Sequence, residues 1–327
     1  MAVKYLITGA TGGLGQSILD TLLASIPASQ IAASSTRPSA AAAFEKRGVQ
    51  FRLIDFESPD TLNKAFADVE NLFFVSTSEI DNKIRCQQHR NVVAAAKTSG
   101  IKHVYYSSLA LGGFEDAWDV ELQVAHLETE KLLKESGLTW TSVREGIYAD
   151  AFPCFVNWFP TNPNQTLYLP ADGQIAYALR SELGEATAKL MLAGGHANEI
   201  VLLTGPRTNS MADMVAVVNE VTSRNVTIEW VSDEEYIAKN SANDEGGKPE
   251  AFFRVWSSVL HGLQKGAAAT ASPLMGELLG REPLDGKSAA RKLLEGNRDY
   301  TWHQNYAPVP KERSEERKDS LHEVQVV

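Results

Sequence analysis

Cysteine is scarce in this chain of 327 residues: only Cys86 and Cys154 occur, with no Cys-x-x-Cys pair and no Cys/His cluster. A disulfide framework and a zinc site are therefore both disfavoured, and no metal cofactor is expected. No run of about 18 apolar residues offers a membrane span, and residues 1–9 reach glycine too soon for a signal peptide. These absences predict an intracellular, cytoplasmic protein with no membrane partner.

Positive charge is also in short supply. The chain carries 31 lysine and arginine residues against 41 aspartate and glutamate residues, a net charge of −10 at pH 7. A nucleic-acid partner needs a basic face to meet the phosphates, so direct nucleic-acid binding is disfavoured. The apolar fraction of 43% is that of an ordinary globular protein, and the chain is long enough to bury a large core.

The first half of the chain alternates short apolar runs with segments of helical period. Strands are predicted at 4–8, 30–34, 49–54, 71–75, 103–107 and 140–144, and helices at Gly13–Ala24, Asp81–Thr98 and Asp119–Glu135. This alternation is typical of a parallel sheet that helices cover on both faces. The predicted fold class is therefore α/β, a Rossmann-type doubly wound parallel sheet.

The second half changes character and predicts a smaller α/β domain. It opens with a stretch over 150–170 that is rich in aromatic residues, proline and asparagine. Strands are predicted at 199–204 and 226–232, helices after Ser210 and over 250–265, 273–279 and 287–295, and an exposed loop over 240–250. The mixed charge run over 311–319 indicates a flexible tail.

A glycine-rich segment, Gly9-Ala-Thr-Gly-Gly-Leu-Gly15, directly follows the first predicted strand and opens the first predicted helix. Glycine lets the backbone turn tightly and approach a pyrophosphate, and the helix presents unpaired N–H groups to the phosphates. In this context the spacing predicts a dinucleotide-binding loop, although a tight turn without a ligand is the alternative. The predicted cofactor contacts are Gly9, Thr11, Gly12, Gly13, Leu14 and Gly15.

The end of the second strand distinguishes the two nicotinamide cofactors. NAD sites usually carry an acid here, which accepts a hydrogen bond from the ribose 2′-hydroxyl group, whereas this chain reads Ala-Ser-Ser-Thr-Arg37-Pro. A guanidinium group pairs well with a 2′-phosphate and poorly with a bare hydroxyl group. The sequence therefore favours NADP(H) over NAD, bound by Arg37; a surface arginine beside a turn is the alternative.

Further residues follow the third, fourth and fifth strands, at the carboxyl edge of the sheet where ligands of such folds bind. Asp55 and Phe56 are placed to meet the adenine ring, although Asp55 equally fits a loop acid before the helix that starts at Ser58-Pro59. Four hydroxyl residues lie at the same edge and are predicted to contact the cofactor: Ser76, Thr77, Ser78 and Ser107.

Taken in order, these segments resemble a known family. The matching stretches are GATGGLG, Arg37, STSEIDN with QHRNVVAAAKTSGIKHVYYSSL, HLETEKLLKESGLTWTSVREGIY and ADGQIAYALRSELGEA. Over residues 3–232 the chain resembles the NmrA-like, atypical short-chain dehydrogenases/reductases, closest in motif pattern to the type 2 NAD(P)H:quinone oxidoreductases. The resemblance implies a monomer or homodimer with an NADP(H)-binding Rossmann domain over 1–150, to which later segments can return. A smaller substrate domain over 151–307 and a charged tail over 308–327 would follow.

The helix after the fifth strand departs from the Tyr-x-x-x-Lys pattern of short-chain dehydrogenases, in which the tyrosine donates a proton and the lysine holds the nicotinamide ribose. Aligned on Glu130–Leu133, this chain has Leu122 at the tyrosine position and His126 at the lysine position. Reduction of a simple ketone needs an acid for the forming alkoxide, whereas a reduced quinone is stabilised by aromatisation and can take a proton from water. The resemblance therefore implies NADPH-dependent hydride transfer directly to a quinone or another flat conjugated carbonyl acceptor.

Two residues are predicted to act at the reacting centre. By the resemblance, His126 orients the ribose or the nicotinamide, or relays a proton, unless it is a plain helix-surface histidine. Gly146 and Ile147 follow the sixth strand and would border the nicotinamide, with Tyr148 near the hydride path. Relatives often carry asparagine where this chain has Glu145, which puts the polar contacts of the nicotinamide in question.

Two aromatic clusters suit a flat aromatic or quinone-like substrate. They are Phe152, Phe155, Trp158 and Phe159, and then Phe252, Phe253 and Trp256. Packing of the second domain is the alternative interpretation for each of them. The alternative function is an NmrA-like redox-sensing regulator that binds NADP(H) and a protein partner without turnover, which the lost tyrosine and the charged tail leave open.

Overall fold

The structure is a computed structural model that describes residues 3–79, 81–116 and 120–306. Its strands are β1 (Val3–Ile7), β2 (Ile31–Ser35), β3 (Gln50–Leu53), β4 (Val69–Phe74), β5 (His103–Leu109), β6 (Thr139–Glu145), β7 (Thr166–Leu169), β8 (Glu199–Leu203) and β9 (Thr227–Trp230). Its helices are α1 (Gly13–Ser25), α2 (Ala41–Glu45), α3 (Pro59–Phe66), α4 (Asn82–Thr98), α5 (Val124–Ser136), α6 (Phe152–Phe155), α7 (Arg180–Ala193), α8 (Met211–Thr222), α9 (Asp233–Ser241), α10 (Glu250–Gln264), α11 (Leu274–Leu279) and α12 (Gly286–Gly296).

Within the described residues, seven strands form one parallel sheet in the order β3-β2-β1-β4-β5-β6-β8. Tyr5 of β1 pairs with Ile31 of β2 on one side and Asn71 of β4 on the other, so the strand order reverses at β1. Ligands of open α/β sheets bind outside the carboxyl ends of the strands at such a reversal. The predicted Rossmann-type fold is confirmed, and it directs a ligand to the loops after β1, β2 and β4.

Helices cover both faces of this sheet. On one face α1 packs against α7, and Ile18 and Leu22 of α1 are fully buried in the core between helix and sheet. On the other face α3, α4 and α5 cover the strands, with Phe66 and Val92 fully buried. Because both faces are covered, strands such as β1 read as near-continuous apolar runs rather than alternating ones.

A second hydrophobic core lies under the separate two-stranded parallel sheet of β7 and β9. Helices α8, α10 and α12 contribute to it, and its largest fully buried side chains are Trp158, Tyr177, Tyr236, Phe152 and Phe253. Aromatic rings of this size bury large apolar areas, so they stabilise a small core effectively. Ile147 and Tyr148, which come directly after β6, pack against this core, and Tyr148 also packs against the core of the large sheet. The second core therefore lies beside the carboxyl edge of the large sheet.

β8 pairs with β6 and returns a later segment of the chain to the large sheet, which the prediction for the Rossmann domain allowed. In other places the structure differs from the sequence predictions. β7 lies where the sequence predicts no strand, because its partner β9 is remote in sequence. The predicted loop over 240–250 is not fully exposed: Lys248 is buried, bound to Asp244 and to the Asn305 carbonyl oxygen. Asp119, the predicted start of a helix, and the predicted tail over 308–327 lie outside the described residues.

Candidate cofactor site and reacting centre

The loop between β1 and α1 is built around glycine. Gly9 has a φ of +59°, a left-handed conformation that favours glycine, and Gly12 caps α1 without a side-chain hydrogen bond. A Cβ atom on Gly15 would lie 2.5 Å from the carbonyl oxygen of Gly9, so only glycine fits there. Gly9, Thr11, Gly12 and Gly13 are exposed, whereas Leu14 and Gly15 are buried. The first N–H groups of α1 therefore face an open loop suited to a phosphate group.

A cation from a distant part of the chain lies against this loop. Arg180 begins α7, and its guanidinium carbon would be 2.7 Å from a Cβ atom on Gly13. The same guanidinium group lies 4.0 Å from the ring centroid of Trp302, and its Nε atom lies 3.3 Å from Asp150 Oδ1. Arg180 therefore brings positive charge to the predicted phosphate loop, although the sequence analysis did not single it out.

Arg37 lies just beyond β2, the strand next to β1 in the large sheet. Its side chain is exposed, and it has no hydrogen-bond or ion-pair partner within the described residues. Its backbone N–H group donates to the Ser35 hydroxyl group at 3.1 Å, which holds the backbone while leaving the guanidinium group free. An exposed, unpaired guanidinium group is well suited to a phosphate.

Asp55 and Phe56 both have structural partners at the end of β3. Asp55 Oδ1 accepts a hydrogen bond from the Glu57 N–H group at 3.0 Å, and the Asp55 N–H group donates to Thr61 Oγ1 at 2.9 Å. Phe56 packs edge-on against Phe74 with ring centroids 5.5 Å apart. Asp55 thus organises the turn into α3, as the alternative interpretation expects, and the adenine contact stays a prediction.

The hydroxyl groups at the ends of β4 and β5 are joined to one another. The Ser76 N–H group donates to Ser107 Oγ at 2.9 Å, and Ser76 Oγ accepts from Arg85 Nη2 at 2.7 Å. The Thr77 N–H group donates to His89 Nε2 at 3.3 Å, while Ser78 is exposed. These bonds fix the carboxyl edge between the two strands, and the cofactor contacts of the four residues stay predictions.

His126 is buried between two protein groups instead of facing an open cleft. Arg85 Nη2 lies 2.6 Å from its Nε2 atom, and the Tyr106 hydroxyl group lies 2.9 Å from its Nδ1 atom. Arginine can only donate, so Nε2 accepts and Nδ1 carries the ring proton. Leu122, at the position of the missing tyrosine, offers its carbonyl oxygen to Arg85 Nη1 at 3.3 Å.

The surroundings of His126 keep its ring neutral. Burial, followed by the positive charge of Arg85 and then by His89 and Arg144, holds the pKa of His126 well below its usual value. The neutral ring has a single proton, on Nδ1 and directed at the Tyr106 hydroxyl group, so in this arrangement that proton is not available to a substrate. The predicted contact with the ribose and the predicted proton relay would each require the ring to exchange one of these partners.

Glu145 and Tyr148 form a pair at the carboxyl end of β6. Glu145 is 1% exposed, and its Oε2 atom accepts a hydrogen bond from the Tyr148 hydroxyl group at 2.5 Å. Its other oxygen atom, Oε1, is buried without a hydrogen-bond partner within the described residues. Burial raises the pKa of Glu145 to about 8, against a smaller lowering by the Tyr148 hydrogen bond. The pair therefore holds an extra proton at neutral pH.

The backbone between these two residues is pressed against the segment that precedes α7. A Cβ atom on Gly146 would lie 2.7 Å from the Ala176 carbonyl oxygen, and the Ile147 carbonyl oxygen accepts from the Ala178 N–H group at 2.9 Å. Arg180 follows two residues later, with its guanidinium carbon 6.0 Å from the Tyr148 ring centroid. These contacts place Tyr148, which is partly exposed, near the arginine that covers the glycine loop.

The two aromatic clusters differ in exposure. The first cluster is wholly buried, which favours a packing role, and three of its four residues belong to the second core: Phe152, Phe155 and Trp158, with Phe159 buried outside that core. In the second cluster, Phe252 and Trp256 are only partly buried and stack with ring centroids 4.7 Å apart. These two rings stay candidates for contact with a flat substrate.

Arg85 and Arg180 are the charged residues that sequence reasoning missed. Arg180 lies inside a stretch that carries the family resemblance, and Arg85 lies between two such stretches. Their partners are far away in the chain, and only the folded structure shows that Arg180 meets Gly13 and that Arg85 meets His126.

None of the helices in the described ranges has the length and apolar character needed to cross a membrane. In the same part of the chain, no three His, Cys, Asp or Glu side chains cluster as metal ligands would. Cys86 and Cys154 are both buried and free.

Comparisons with known proteins match this chain to the NmrA-like family and to oxidoreductases. The sequence profile of the NmrA-like family matches residues 1–245. An NmrA-like family domain-containing oxidoreductase of Aspergillus flavus is 50% identical over 307 residues, which cover 93% of this chain and 99% of that protein. Quinone oxidoreductase 2 of Escherichia coli is 31% identical over 276 residues, 84% of this chain and 93% of that protein. The crystal structure of the NADPH-dependent quinone oxidoreductase from Escherichia coli, complexed with NADPH, matches with a TM-score of 0.79 at 29% identity, covering 89% of this chain and 99% of that one.

Proposed function

We propose, from the premise that this chain belongs to the NmrA-like family of oxidoreductases, that it is an NADPH-dependent reductase of quinones or similar flat conjugated carbonyl compounds. The family and the class of enzyme predicted from the sequence, an NAD(P)H-dependent oxidoreductase, are both confirmed. The choice of acceptor goes further and is supported by the name of the Escherichia coli relative, a quinone oxidoreductase.

NADP(H) is the cofactor, and the carboxyl edge of the sheet fits it. The glycine loop leaves no room for a side chain at Gly15, and α1 begins without a side-chain cap. In the proposed arrangement the first N–H groups of α1 and the Arg180 guanidinium group hold the pyrophosphate, while Arg37 holds the 2′-phosphate. A cofactor held there supplies a hydride to an acceptor.

The observation that carries the proposal is the presence of two guanidinium groups at the glycine loop and the β2 end. Arg180 lies against Gly13, and Arg37 lies beyond β2 with no internal partner in the described part of the chain. A pyrophosphate and a 2′-phosphate are the two anionic groups of NADPH, and NADH has only the first. Two separate cations, of which Arg37 is exposed and unpaired within the described residues, therefore favour NADPH over NADH.

The acceptor side is supported by three partly buried aromatic residues that pack against the second core. Tyr148 is partly exposed and its ring centroid lies 6.0 Å from the Arg180 guanidinium carbon, and Phe252 and Trp256 offer stacked, partly exposed rings. Flat conjugated molecules bind favourably against such rings. Since Leu122 replaces the usual tyrosine, proton delivery has to come from water or from another residue of this chain.

The first experiment follows the loss of NADPH absorbance with a panel of quinones and enones, with NADH run in parallel. We expect acceptor-dependent oxidation of NADPH that exceeds oxidation of NADH. Tight NADPH binding without oxidation by any acceptor would contradict a reductase and would favour the regulator that binds NADP(H) without turnover.

The second experiment tests the arginine that selects the cofactor. Arg37→Glu should raise the NADPH dissociation constant about 10- to 100-fold, since a charge-assisted hydrogen bond contributes roughly 1.5–3 kcal/mol. NADH binding should change far less, because NADH carries no 2′-phosphate. Calorimetric titration measures both, and Arg254→Glu, which changes an exposed arginine of α10, is the matched control. An unchanged NADPH dissociation constant in Arg37→Glu would show that this arginine does not bind the 2′-phosphate.

A further inference from the structure

The acid at the end of β6 is buried without a cation to balance it. We propose that Glu145 supplies, through the Tyr148 hydroxyl group, the proton that the acceptor requires when it is reduced. This inference rests on the proposed function and adds to it a proton source within the chain. Tyr148 would touch the substrate, and Glu145 would act through Tyr148 as a positioning and proton-supplying residue.

The geometry around Glu145 suits a neutral carboxyl group. In the sheet its neighbours in register are Leu109 of β5 and Leu203 of β8, both apolar. Its Oε2 atom is 2.5 Å from the Tyr148 hydroxyl group, and its Oε1 atom is buried with no hydrogen-bond partner among the described residues. A carboxylate in such surroundings would lose its hydration without gaining a counter-ion, which is strongly unfavourable.

The charged groups around the pair come from two other segments. Arg180 at the start of α7 has its guanidinium carbon 6.0 Å from the Tyr148 ring, and Asp150 lies in the turn after β6. Burial, followed by the Glu145 charge, raises the pKa of Tyr148 well above its usual value, while Arg180 lowers it and Asp150 raises it. Tyr148 therefore does not hold a negative charge of its own, and it can give up a proton only if Glu145 replaces it in the same step.

The hydrogen bond between the two residues can reverse. When the neutral Glu145 carboxyl group donates to the Tyr148 oxygen atom, the Tyr148 hydrogen atom is free to point towards a substrate. Burial raises the pKa of Glu145 to about 8, so the carboxyl group carries this proton at neutral pH. A glutamine would preserve the hydrogen bond but could not transfer the proton.

The proposed step balances. Hydride addition to a quinone leaves a hydroquinone monoanion, and hydride addition to an enone leaves an enolate. The O–H bond of Tyr148 breaks as the new bond to hydrogen forms on the product, and the O–H bond of Glu145 breaks as that of Tyr148 forms again. The Glu145 carboxylate then takes one proton from water before the next turnover, and no other oxidant or reductant is consumed.

The kinetic test compares wild type with Glu145→Gln and Tyr148→Phe on either side of pH 8. For wild type, we expect kcat to fall as the pH rises above about 8, because the proton supply is lost. Glu145→Gln should lose this pH dependence. Its kcat should fall about 100-fold for an enone, with KM little changed, and less for a quinone, whose anion is a weaker base. Tyr148→Phe should show the same difference between acceptors. Glu199→Gln, which changes an exposed glutamate of β8, is the matched control and should keep the wild-type profile.

The second measurement needs neither cofactor nor turnover. Carbon-13 NMR of the glutamate carboxyl groups in the free protein should show one signal that titrates near pH 8 and is absent from Glu145→Gln. If wild type turns over but Glu145 titrates at its ordinary acidic pH, the proposed proton supply is wrong. The same follows if Glu145→Gln keeps the fall in kcat at alkaline pH. Either result leaves the proposed function intact. No turnover in wild type with any acceptor would overturn the proposed function, and the proton supply with it.

Discussion

The two faces of β6 bury acidic side chains in opposite ways. Arg144 and Glu145 are neighbours in the strand, so their side chains point to opposite faces of the sheet. On the α5 face, Arg144 is fully buried and its Nη2 atom lies 2.6 Å from Glu130 Oε2. On the α1–α7 face, Glu145 has the Tyr148 hydroxyl group as its hydrogen-bond partner. Glu130 and Glu145 are both 1% exposed, so burial alone does not distinguish them.

The difference lies in how completely each acid is satisfied. Glu130 accepts hydrogen bonds from Arg144 and from the hydroxyl groups of Ser108 and Ser142, at 2.8 and 2.7 Å for the two serines. Burial by itself lowers the pKa of Arg144, but its bonds with Glu130 and Asp116 raise it overall, so the guanidinium group stays charged. The first face therefore holds a fixed ion pair that joins α5 to the sheet. The second face holds an acid whose proton can be transferred, an arrangement that suits catalysis better than it stabilises the fold.

The largest expected effect comes from breaking the fixed pair. Arg144→Met should lower the free energy of unfolding by about 3–5 kcal/mol, because it leaves the buried Glu130 carboxylate without its cation. Urea unfolding measures this change. The double variant Arg144→Met/Glu130→Leu should recover much of the loss, since it removes both charges together.

An exposed pair in the same sheet provides the control for this prediction. Lys102 and Glu70 form an ion pair at 3.1 Å with the lysine side chain 69% exposed. Lys102→Met should change the free energy of unfolding by less than about 1 kcal/mol, as exposed pairs do. If Arg144→Met costs no more than Lys102→Met, the ion pair on the α5 face does not stabilise the fold as described here.

The effect expected on the other face depends on pH, and at acidic pH it is smaller than that of Arg144→Met. The unfolded chain releases the Glu145 proton near the ordinary pKa of 4.5, whereas the folded chain keeps it to about 8. Between these values the folded state binds more protons, so wild-type stability falls by about 1.4 kcal/mol per pH unit as the pH rises. Glu145→Gln carries no such proton and should gain stability relative to wild type over this range. This gain in the free energy of unfolding should be absent below pH 4.5 and constant above pH 8.

Thermal unfolding of wild type, Glu145→Gln and Glu199→Gln across this range measures the difference. Glu199 is exposed, so its glutamine variant should follow the wild-type curve. A constant difference between Glu145→Gln and wild type at every pH would mean that Glu145 ionises alike in the folded and unfolded chains.

How far the sequence predicts the site depends on how far apart the residues involved lie along the chain. The glycine loop and Arg37 are predictable because each motif lies within a few residues and follows a recognisable strand. Arg180 is not, since its position over Gly13 comes from the packing of α7 beside α1. His126 was expected at the ribose, yet its ring contacts Arg85 and Tyr106, which lie on α4 and β5.

In the fold as well, features set by local sequence are predictable, and features set by contacts between remote segments are not. The order of strands and helices in the first half follows from local periodicity, and the Rossmann-type sheet with it. The pairing of β8 with β6 and of β7 with β9 depends on contacts between remote segments. In the sequence, Glu145 is recognisable only as a departure from the asparagine that the family resemblance leads one to expect. Its protonation depends on burial by neighbouring strands, which no local pattern reports.

The smallest expected effect tests the redundancy of the fixed network. Ser142 Oγ donates to Glu130 Oε1 at 2.7 Å, but Arg144 and Ser108 donate to the same oxygen atom. Ser142→Ala should therefore lower the free energy of unfolding by only about 1.5 kcal/mol, the contribution of one hydrogen bond to a charged group. Ser25→Ala, which removes an exposed helix hydroxyl group, is the control and should change it by about 0.5 kcal/mol or less. A loss of stability as large as that of Arg144→Met would mean that the hydroxyl groups, rather than the cation, keep Glu130 buried. The contrast between the two faces of β6 would then rest on hydrogen bonding instead of charge.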